Sequence, residues 1–432
     1  MDIRKLSLQL NGFPIQKATN DLNKIQGFNI EQILDFQSEM KWKIAKFHFE
    51  RNPFYKEKVG TIFPTNWDDL PILYKSDFQT SLKSIISKNY RLYSLYISNT
   101  SGSGGHPFTF AKDKYCHART WSYTFNRYHE LGINGESKEA RFYGIPLEFF
   151  PQKKEQLKDI LLKRKRFPVF DLSEENLNNY FKNLMSGRFD YIYGYTNSIY
   201  EFSKFLLKNN YDLKKSCPGI KLIIVTSELC LDYQREIIEK ATGLNVISEY
   251  GASEFGYIGK EISKNLWEIV WQNIFVEQTE VSLLEEGGDL LVTDFFNLAF
   301  PFIKYSIGDI GTIKTINGKS CITNLLGRTN DMALLPSGKK APGLTFYYIS
   351  RSVLENSGVL KEFIVRQTAI DEFWIDYKSD VAIDLNSMDL IRKKFAEYLE
   401  PNLNVKFQHL AEIPRTKKGK LKHFYSEITD VI

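Results

Sequence analysis

Between Ala140 and Glu249 the chain alternates two textures, and this alternation restricts the fold more than any other feature. Short apolar, β-prone runs stand at Ala140–Tyr143, Tyr191–Tyr193, Lys221–Val225 and Asn245–Ile247. Among them, Glu174–Met185, Ser198–Leu207 and Asp232–Ala241 carry apolar residues at helical spacing. Parallel strands need a crossover long enough to hold a helix, so the pattern predicts α/β layers around a parallel sheet. Asp232 is expected to cap its helix and Gly243 to close it. After Gly251 the texture becomes hairpin-like, with a Gly287-Gly288-Asp289 turn leading into Leu290–Thr293, which predicts a mixed or antiparallel continuation. The last hundred or so residues alternate on their own, with strands at Phe363–Val365, Phe373–Tyr377 and Val405–Phe407 and a helix at Met388–Glu397. They read as a separate small α+β domain. The first hundred residues read mainly as amphipathic helices, for example Gln32–Asn52, whose aromatic patches suit core packing.

Composition removes several function classes. The 57 basic and 52 acidic residues are interspersed and leave a formal charge of +5, too mild to mark nucleic acid as the main partner. The basic runs Lys163–Arg166 and Lys417–Lys422 are short, and the first reads as a solvated face. Cys116, Cys217, Cys230 and Cys321 are far apart and form no CxxC pair, so neither a zinc site nor a disulfide framework is indicated and a reducing compartment is favoured. Met1–Ile15 lacks a continuous apolar core and no segment is long enough to span a bilayer, so a cytoplasmic location is expected. A homodimer is the default oligomer.

Six short stretches carry chemistry. The run Tyr93–Ile97 gives way to Thr100-Ser101-Gly102-Ser103-Gly104-Gly105-His106-Pro107, a strand feeding a loop in which glycine permits close backbone approach and amide and hydroxyl groups can bind an anion. It lacks the Walker A spacing, and by itself such a loop is more often a flexible turn. The others are Val225-Thr226-Ser227-Glu228, Ser248-Glu249-Tyr250-Gly251-Ala252-Ser253-Glu254, Pro301-Phe302-Ile303-Lys304-Tyr305-Ser306-Ile307-Gly308-Asp309, Gly327-Arg328-Thr329-Asn330-Asp331 and Ile413-Pro414-Arg415-Thr416-Lys417-Lys418-Gly419-Lys420. Taken singly they read as a capping turn, a glycine turn with an exposed acid, or surface charges.

Taken together, in this order and spacing over about three quarters of the chain, they resemble the motifs of the adenylate-forming superfamily. Within it, Arg141-Phe142-Tyr143-Gly144 and Tyr191–Ser198 look like the phenylacetate–CoA ligase branch, including members assigned to capsule polysaccharide biosynthesis. The resemblance implies a large N-terminal domain of layered sheets and helices, 1–328, and a small mobile C-terminal α+β domain, 329–432. It implies that Thr100, Ser101, Gly102, Ser103, Gly104, Gly105 and Ser253 bind the ATP phosphates. Ser227, Glu228, Glu249, Tyr250, Gly251, Asp309 and Arg328 would bind adenine and ribose, with Asp309 accepting from the ribose hydroxyls. Glu254 would help hold Mg²⁺, Asn330 would be the hinge, and Lys420 would be the catalytic residue that neutralises charge on the carboxylate and the α-phosphate. Tyr143 and Tyr195 are assigned to the acyl pocket, with plain core packing as the alternative. The sequence departs from the family pattern at Gly104, His106, Lys304, Ile307 and Asn330.

The implied reaction condenses a carboxylic acid with ATP to an acyl adenylate, releases pyrophosphate and transfers the acyl group to coenzyme A. Two alternatives stay open at this point: transfer to an amine acceptor, such as an amino sugar or amino acid, and a non-catalytic binding module on the same fold.

Overall fold

The computed structural model describes residues 2–99, 108–144, 149–169, 172–279, 287–328, 332–338, 340–342, 360–379, 381–413 and 424–428. The chain forms two compact units. One comprises 1–277, 291–307 and 313–323, and the other 278–290, 308–312 and 324–432.

A hairpin of β1 (Tyr96–Asn99) and β2 (Thr109–Lys112) pairs antiparallel, with Asn99 opposite Thr109. The main sheet has eleven strands: β3 (Glu139–Phe142), β4 (Arg164–Phe167), β5 (Tyr191–Tyr195), β6 (Leu222–Thr226), β7 (Val246–Ala252), β8 (Gly256–Ser263), β9 (Leu266–Ile269), β10 (Ile274–Gln278), β11 (Gly288–Asp294), β12 (Tyr305–Ile316) and β13 (Lys319–Arg328). Their order is β10-β11-β12-β13-β9-β8-β7-β6-β5-β3-β4. From β4 to β7 every pairing is parallel, as the alternation predicts. From β7 through β8 and β9 to β13 the pairing is antiparallel, as the texture after Gly251 predicts.

Helices Glu174–Gly187, Thr196–Lys208 and Asp232–Thr242 connect the parallel strands, and their apolar stripes meet one face of the sheet. That core holds Phe142, Phe167, Leu184, Phe202, Ile223, Val225 and Ile238, with the Phe142 and Phe167 rings stacked at 5.0 Å. At roughly 25 cal/mol per Å² of apolar area, each such side chain contributes about 1.5–3 kcal/mol. Gly194 is required here, because a Cβ on it would lie 2.3 Å from the Phe142 carbonyl oxygen. The helix Asp232–Thr242 closes at Gly243 in the left-handed conformation, as expected. Its cap differs from the sequence reading. Leu231 holds the N-cap position and Asp232 is the first helical residue; Gln234 Oε1 accepts the Leu231 N–H at 3.1 Å, so the glutamine at the third helical position supplies the reciprocal bond.

The opposite face of β3, β5, β6 and β7 is different in kind. Tyr191, Tyr193, Ile224 and Ile247 lie there with Tyr128 from the helix Lys114–Glu130 and Tyr257 from β8. That helix starts directly after β2, where Asp113 Oδ1 accepts the N–H groups of Tyr115 and Cys116, both at 2.9 Å. The predicted N-terminal helix is present as Ile30–Arg51, with Asn29 and Gln32 forming a capping box.

In the second unit β14 (Met332–Leu334) pairs antiparallel with β15 (Lys340–Pro342). A four-stranded sheet, in the order β18-β17-β16-β19, consists of β16 (Leu360–Ala369), β17 (Glu372–Ser379), β18 (Asn404–His409) and β19 (Phe424–Ser426). The helix Leu385–Tyr398, capped by Asp384, sets the Phe395 ring edge-on to Phe373 at 5.9 Å. No helix among the described residues is long and apolar enough to cross a membrane.

Candidate functional site

In parallel α/β sheets, ligands bind in the crevice beyond the carboxyl ends of the strands. Here those ends are Phe142 of β3, Tyr195 of β5, Thr226 of β6 and Glu249–Ala252 of β7. The register joins them: Phe142 pairs with Gly194, Tyr195 with Thr226, and Thr226 with Glu249. Four stretches far apart in sequence therefore meet along one edge.

Ser227 turns the chain at the end of β6 with φ +68°, a left-handed conformation that a serine adopts at a cost of about 1–2 kcal/mol. Its Oγ lies 3.4 Å from the Tyr143 hydroxyl. The Tyr143 and Tyr195 rings are 4.1 Å apart between centroids, so both acyl-pocket candidates stand together at this edge, with Tyr195 buried and Tyr143 half-buried. Glu228 is anchored to the next element. Its Oε2 accepts the Asn197 N–H at 2.9 Å and its carbonyl accepts the Thr196 hydroxyl at 3.0 Å, which ties the strand end to the start of a helix.

In the third motif, β7 is tied to β8 by Glu261, whose Oε2 accepts the Ser248 N–H at 2.6 Å. Tyr250 is buried beside Trp267, ring centroids 6.4 Å apart. Gly251 permits a backbone approach that no other residue allows, since a Cβ there would lie 2.2 Å from the Gly256 carbonyl oxygen. Ser253 is exposed in the turn that follows. Glu254 is buried, and its Oε1 accepts from the Tyr305 hydroxyl at 3.4 Å.

Glu249 faces the tyrosine-lined side of the sheet. Its carboxylate accepts from the Tyr257 hydroxyl, and the Tyr193 hydroxyl also stabilises its charged form. Burial nevertheless dominates and pushes its pKa up to about 7. Further along the sheet, Arg141 of β3 is paired with Glu139, which in turn accepts from the Tyr191 hydroxyl of β5 at 2.8 Å. Burial alone would lower the Arg141 pKa, but the charge of Glu139 outweighs it and keeps the guanidinium protonated. That guanidinium stands 4.7 Å from the Tyr193 ring centroid and 5.5 Å from that of Tyr143. The sequence motifs do not include Glu139 or Tyr257, and they give Arg141 no role of its own. The signal was present in the alternation of Glu139-Ala140-Arg141 and Tyr191-Ile192-Tyr193, which puts polar groups at i and i+2 on one sheet face.

In the fourth motif Lys304 is a fastening residue. Buried at 4% exposure with φ +44°, it donates to the carbonyls of Trp67 at 3.2 Å and Asp68 at 3.3 Å and pairs with Glu277 at 3.7 Å. Glu277 also accepts from the Trp67 indole at 2.6 Å. Asp309 lies half-buried on β12 after Gly308, whose φ is +77°. The loop Thr100–Pro107, with Thr100, Ser101, Gly102, Ser103, Gly104 and Gly105, lies outside the described residues, between two described strands; Asn330, expected as the hinge, and Lys420, expected as the catalytic lysine, also lie outside them. Arg328 ends β13, its side chain outside them. No cluster of three or more metal-ligating side chains occurs among the described residues.

The chain is similar in structure to 2-hydroxyisobutyryl-CoA ligase in the postadenylation state with R3-HIB-AMP, at TM-score 0.64 and 16% identity, over 92% of this chain and 90% of that one. Its fold is that of the adenylate-forming ligases. Within that ligase fold it is also similar to the amide bond synthetase McbA from Marinactinospora thermotolerans, at TM-score 0.52 and 13% identity, over 76% of this chain and 67% of that one. ATP-bound MatB from Rhodopseudomonas palustris matches at TM-score 0.52 and 15% identity, over 76% and 66% of the two chains. In sequence, the chain is 25% identical over 430 residues to Protein CapK of Staphylococcus aureus, covering 95% of this chain and 91% of that protein. No protein-family model matches. The register of β6 and β7 brings the second and third sequence stretches to one sheet edge.

Proposed function

We propose that this protein condenses a carboxylic acid with ATP to an acyl adenylate, releasing pyrophosphate, and then passes the acyl group to the thiol of coenzyme A with release of AMP. The observation that carries the reading is the meeting of Ser227–Glu228 and Glu249–Gly251 along one edge of the parallel sheet, in an adenylate-forming ligase fold whose remaining motifs follow in order.

In this reading the β1–β2 loop, Thr100–Gly105, and Ser253 bind the phosphates through amides and hydroxyls. Tyr250 and Gly251 bound the adenine, and Asp309 accepts from the ribose hydroxyls. Lys420 neutralises the carboxylate oxygen as it attacks the α-phosphorus and pyrophosphate departs. Arg328 contacts ribose or phosphate, and the small domain, beginning after 328, pivots at Asn330 to present a second face for acyl transfer. Glu254 would hold Mg²⁺. One buried carboxylate suits an ion that keeps several waters and takes its other ligands from phosphates, and Mg²⁺ would screen the phosphate charge. Four free, buried cysteines accord with a reducing, cytoplasmic setting.

A second reading, transfer to an amine, draws on the likeness to an amide bond synthetase, and the sequence resemblance to ligases assigned to capsule polysaccharide biosynthesis makes an amino sugar one class of acceptor. The test is acid-dependent pyrophosphate release across a panel of acids, with AMP formation compared between coenzyme A and amines. Release stimulated by an acid supports adenylation, and the acceptor that accelerates AMP formation selects the branch. Silence across the panel with ATP binding intact favours a non-catalytic module.

A further inference from the structure

The helix Phe149–Leu161 turns charged groups inward and apolar groups outward. Glu155 and Asp159 stand one turn apart and meet β4, the end strand of the main sheet. There Arg166 donates to Asp159 and to Glu155, both at 3.0 Å, and Arg164 pairs with the same two carboxylates. Leu157, Ile160 and Leu161 recur at helical spacing on the opposite side and are 59%, 74% and 50% exposed. A surface helix ordinarily buries such a stripe, and a contiguous apolar patch left outside marks an interaction site.

Charge gathers at the same place. Residues 153–166 hold seven of the 57 basic residues and two of the 52 acidic ones, so this stretch has a formal +5 and the rest of the chain, with 50 of each sign, has none. The two arginines face inward, whereas Lys158 and Lys165 are exposed and Lys163 is half-buried. These lysines meet Glu155, Asn183 and Glu136 at the surface, where water screens such contacts and makes them exchangeable. Protein–protein interfaces favour arginine, whose planar fork fits fixed carboxylates, and are depleted in lysine. Flexible lysines beside an exposed leucine and isoleucine stripe suit an anionic bilayer instead, since acyl chains take the apolar groups while the lysine stems reach headgroup phosphates. A two-fold contact with a second copy would set each +5 stretch against its twin.

We propose that the helix Phe149–Leu161 and the start of β4 dock this protein on an anionic membrane surface, with Leu157, Ile160 and Leu161 entering the headgroup region and Lys158, Lys163 and Lys165 pairing with lipid phosphates. Attachment of this kind is peripheral and reversible and needs no spanning segment. It does not depend on the adenylation reading.

The test is co-sedimentation of the full chain with vesicles of phosphatidylcholine, alone or mixed with phosphatidylglycerol, at low and high salt. Two combined variants accompany the wild type: Leu157→Gln with Ile160→Gln and Leu161→Gln, and Lys158→Gln with Lys163→Gln and Lys165→Gln. The expected result is binding to the phosphatidylglycerol vesicles about tenfold or more above binding to phosphatidylcholine, weakened by salt. Each combined variant should lower it about fivefold or more while denaturant unfolding stays unchanged. If the apolar variant does not fold, the single substitution Ile160→Glu, at the most exposed position of the stripe, decides by the same criterion. Absence of binding, equal binding to both kinds of vesicle, or binding that survives loss of the apolar stripe overturns the proposal. Sedimentation velocity is run on the same samples, and a wild-type dimer that Ile160→Glu dissociates would assign the face to a second copy and overturn the membrane assignment.

Discussion

Lys304→Met separates a structural lysine from an ATP-binding one within a single motif. Methionine keeps most of the apolar stem but removes the ammonium that donates to the Trp67 and Asp68 carbonyls at 3.2 and 3.3 Å and sits 3.7 Å from Glu277. Removing one partner of a buried ion pair costs about 3–5 kcal/mol when the other charge is left unpaired. Two features reduce that figure. The Glu277 side chain is 21% exposed, and Lys41 also acts on it electrostatically. The expected loss is therefore about 2–4 kcal/mol. Burial already raises the Glu277 pKa, and losing Lys304 raises it further, so the carboxylate is disfavoured in the folded chain wherever it is charged. The destabilisation should accordingly grow as pH rises through and above the ordinary carboxylate range. The assay is urea unfolding at pH 5 and pH 8, followed by ATP binding on the folded variant, which should change by less than about threefold. A loss below about 0.5 kcal/mol, or ATP affinity falling tenfold with stability intact, would refute the fastening role.

Four further outcomes are expected. Lys420→Ala should abolish acid-dependent pyrophosphate release while ATP still binds, because its charge acts on the transition state; single-turnover assay with calorimetry checks this. Asp309→Ala should weaken ATP binding by about 1–3 kcal/mol through lost charge-assisted hydrogen bonds, measured by titration. Gly251→Ala should cost about 1–3 kcal/mol, read by denaturant unfolding, since its Cβ would stand 2.2 Å from the Gly256 oxygen and the strands must part. With Glu249 raised to about 7 against an ordinary 4.5, its protonated form is favoured in the fold. Stability is thus fully present below pH 4.5 and lost as pH rises through 7, by about 3–4 kcal/mol at most at roughly 1.4 kcal/mol per pH unit. Glu249→Gln should flatten that profile, and unchanged pH dependence in the variant would exclude Glu249 as its source.

Periodicity made the strands and crossover helices of the parallel sheet readable because it is local: apolar runs of strand length and stripes at helical spacing announce themselves within a dozen residues. The same held for β16, β17, β18 and the helix Leu385–Tyr398. Cap detail was less readable. Asp232 looked like an N-cap, yet Leu231 takes that position because Gln234 reaches back to its N–H. Motif order pointed to the strand edge, and the register then joined Ser227 to Glu249 through Thr226.

The sequence by itself determined the alternating α/β plan and the residues of the six motifs, since short-range periodicity and turn chemistry need no distant partner. Only the tertiary structure decided what Lys304 and Glu249 do. Lys304 is fastened to Trp67, whose carbonyl it meets from 237 residues away. Glu249 stands among phenols supplied by β5 and β8. A charged side chain's role is set by which dipoles and charges surround it once water is displaced, and those neighbours are chosen by sheet register and packing, not by adjacency in the chain.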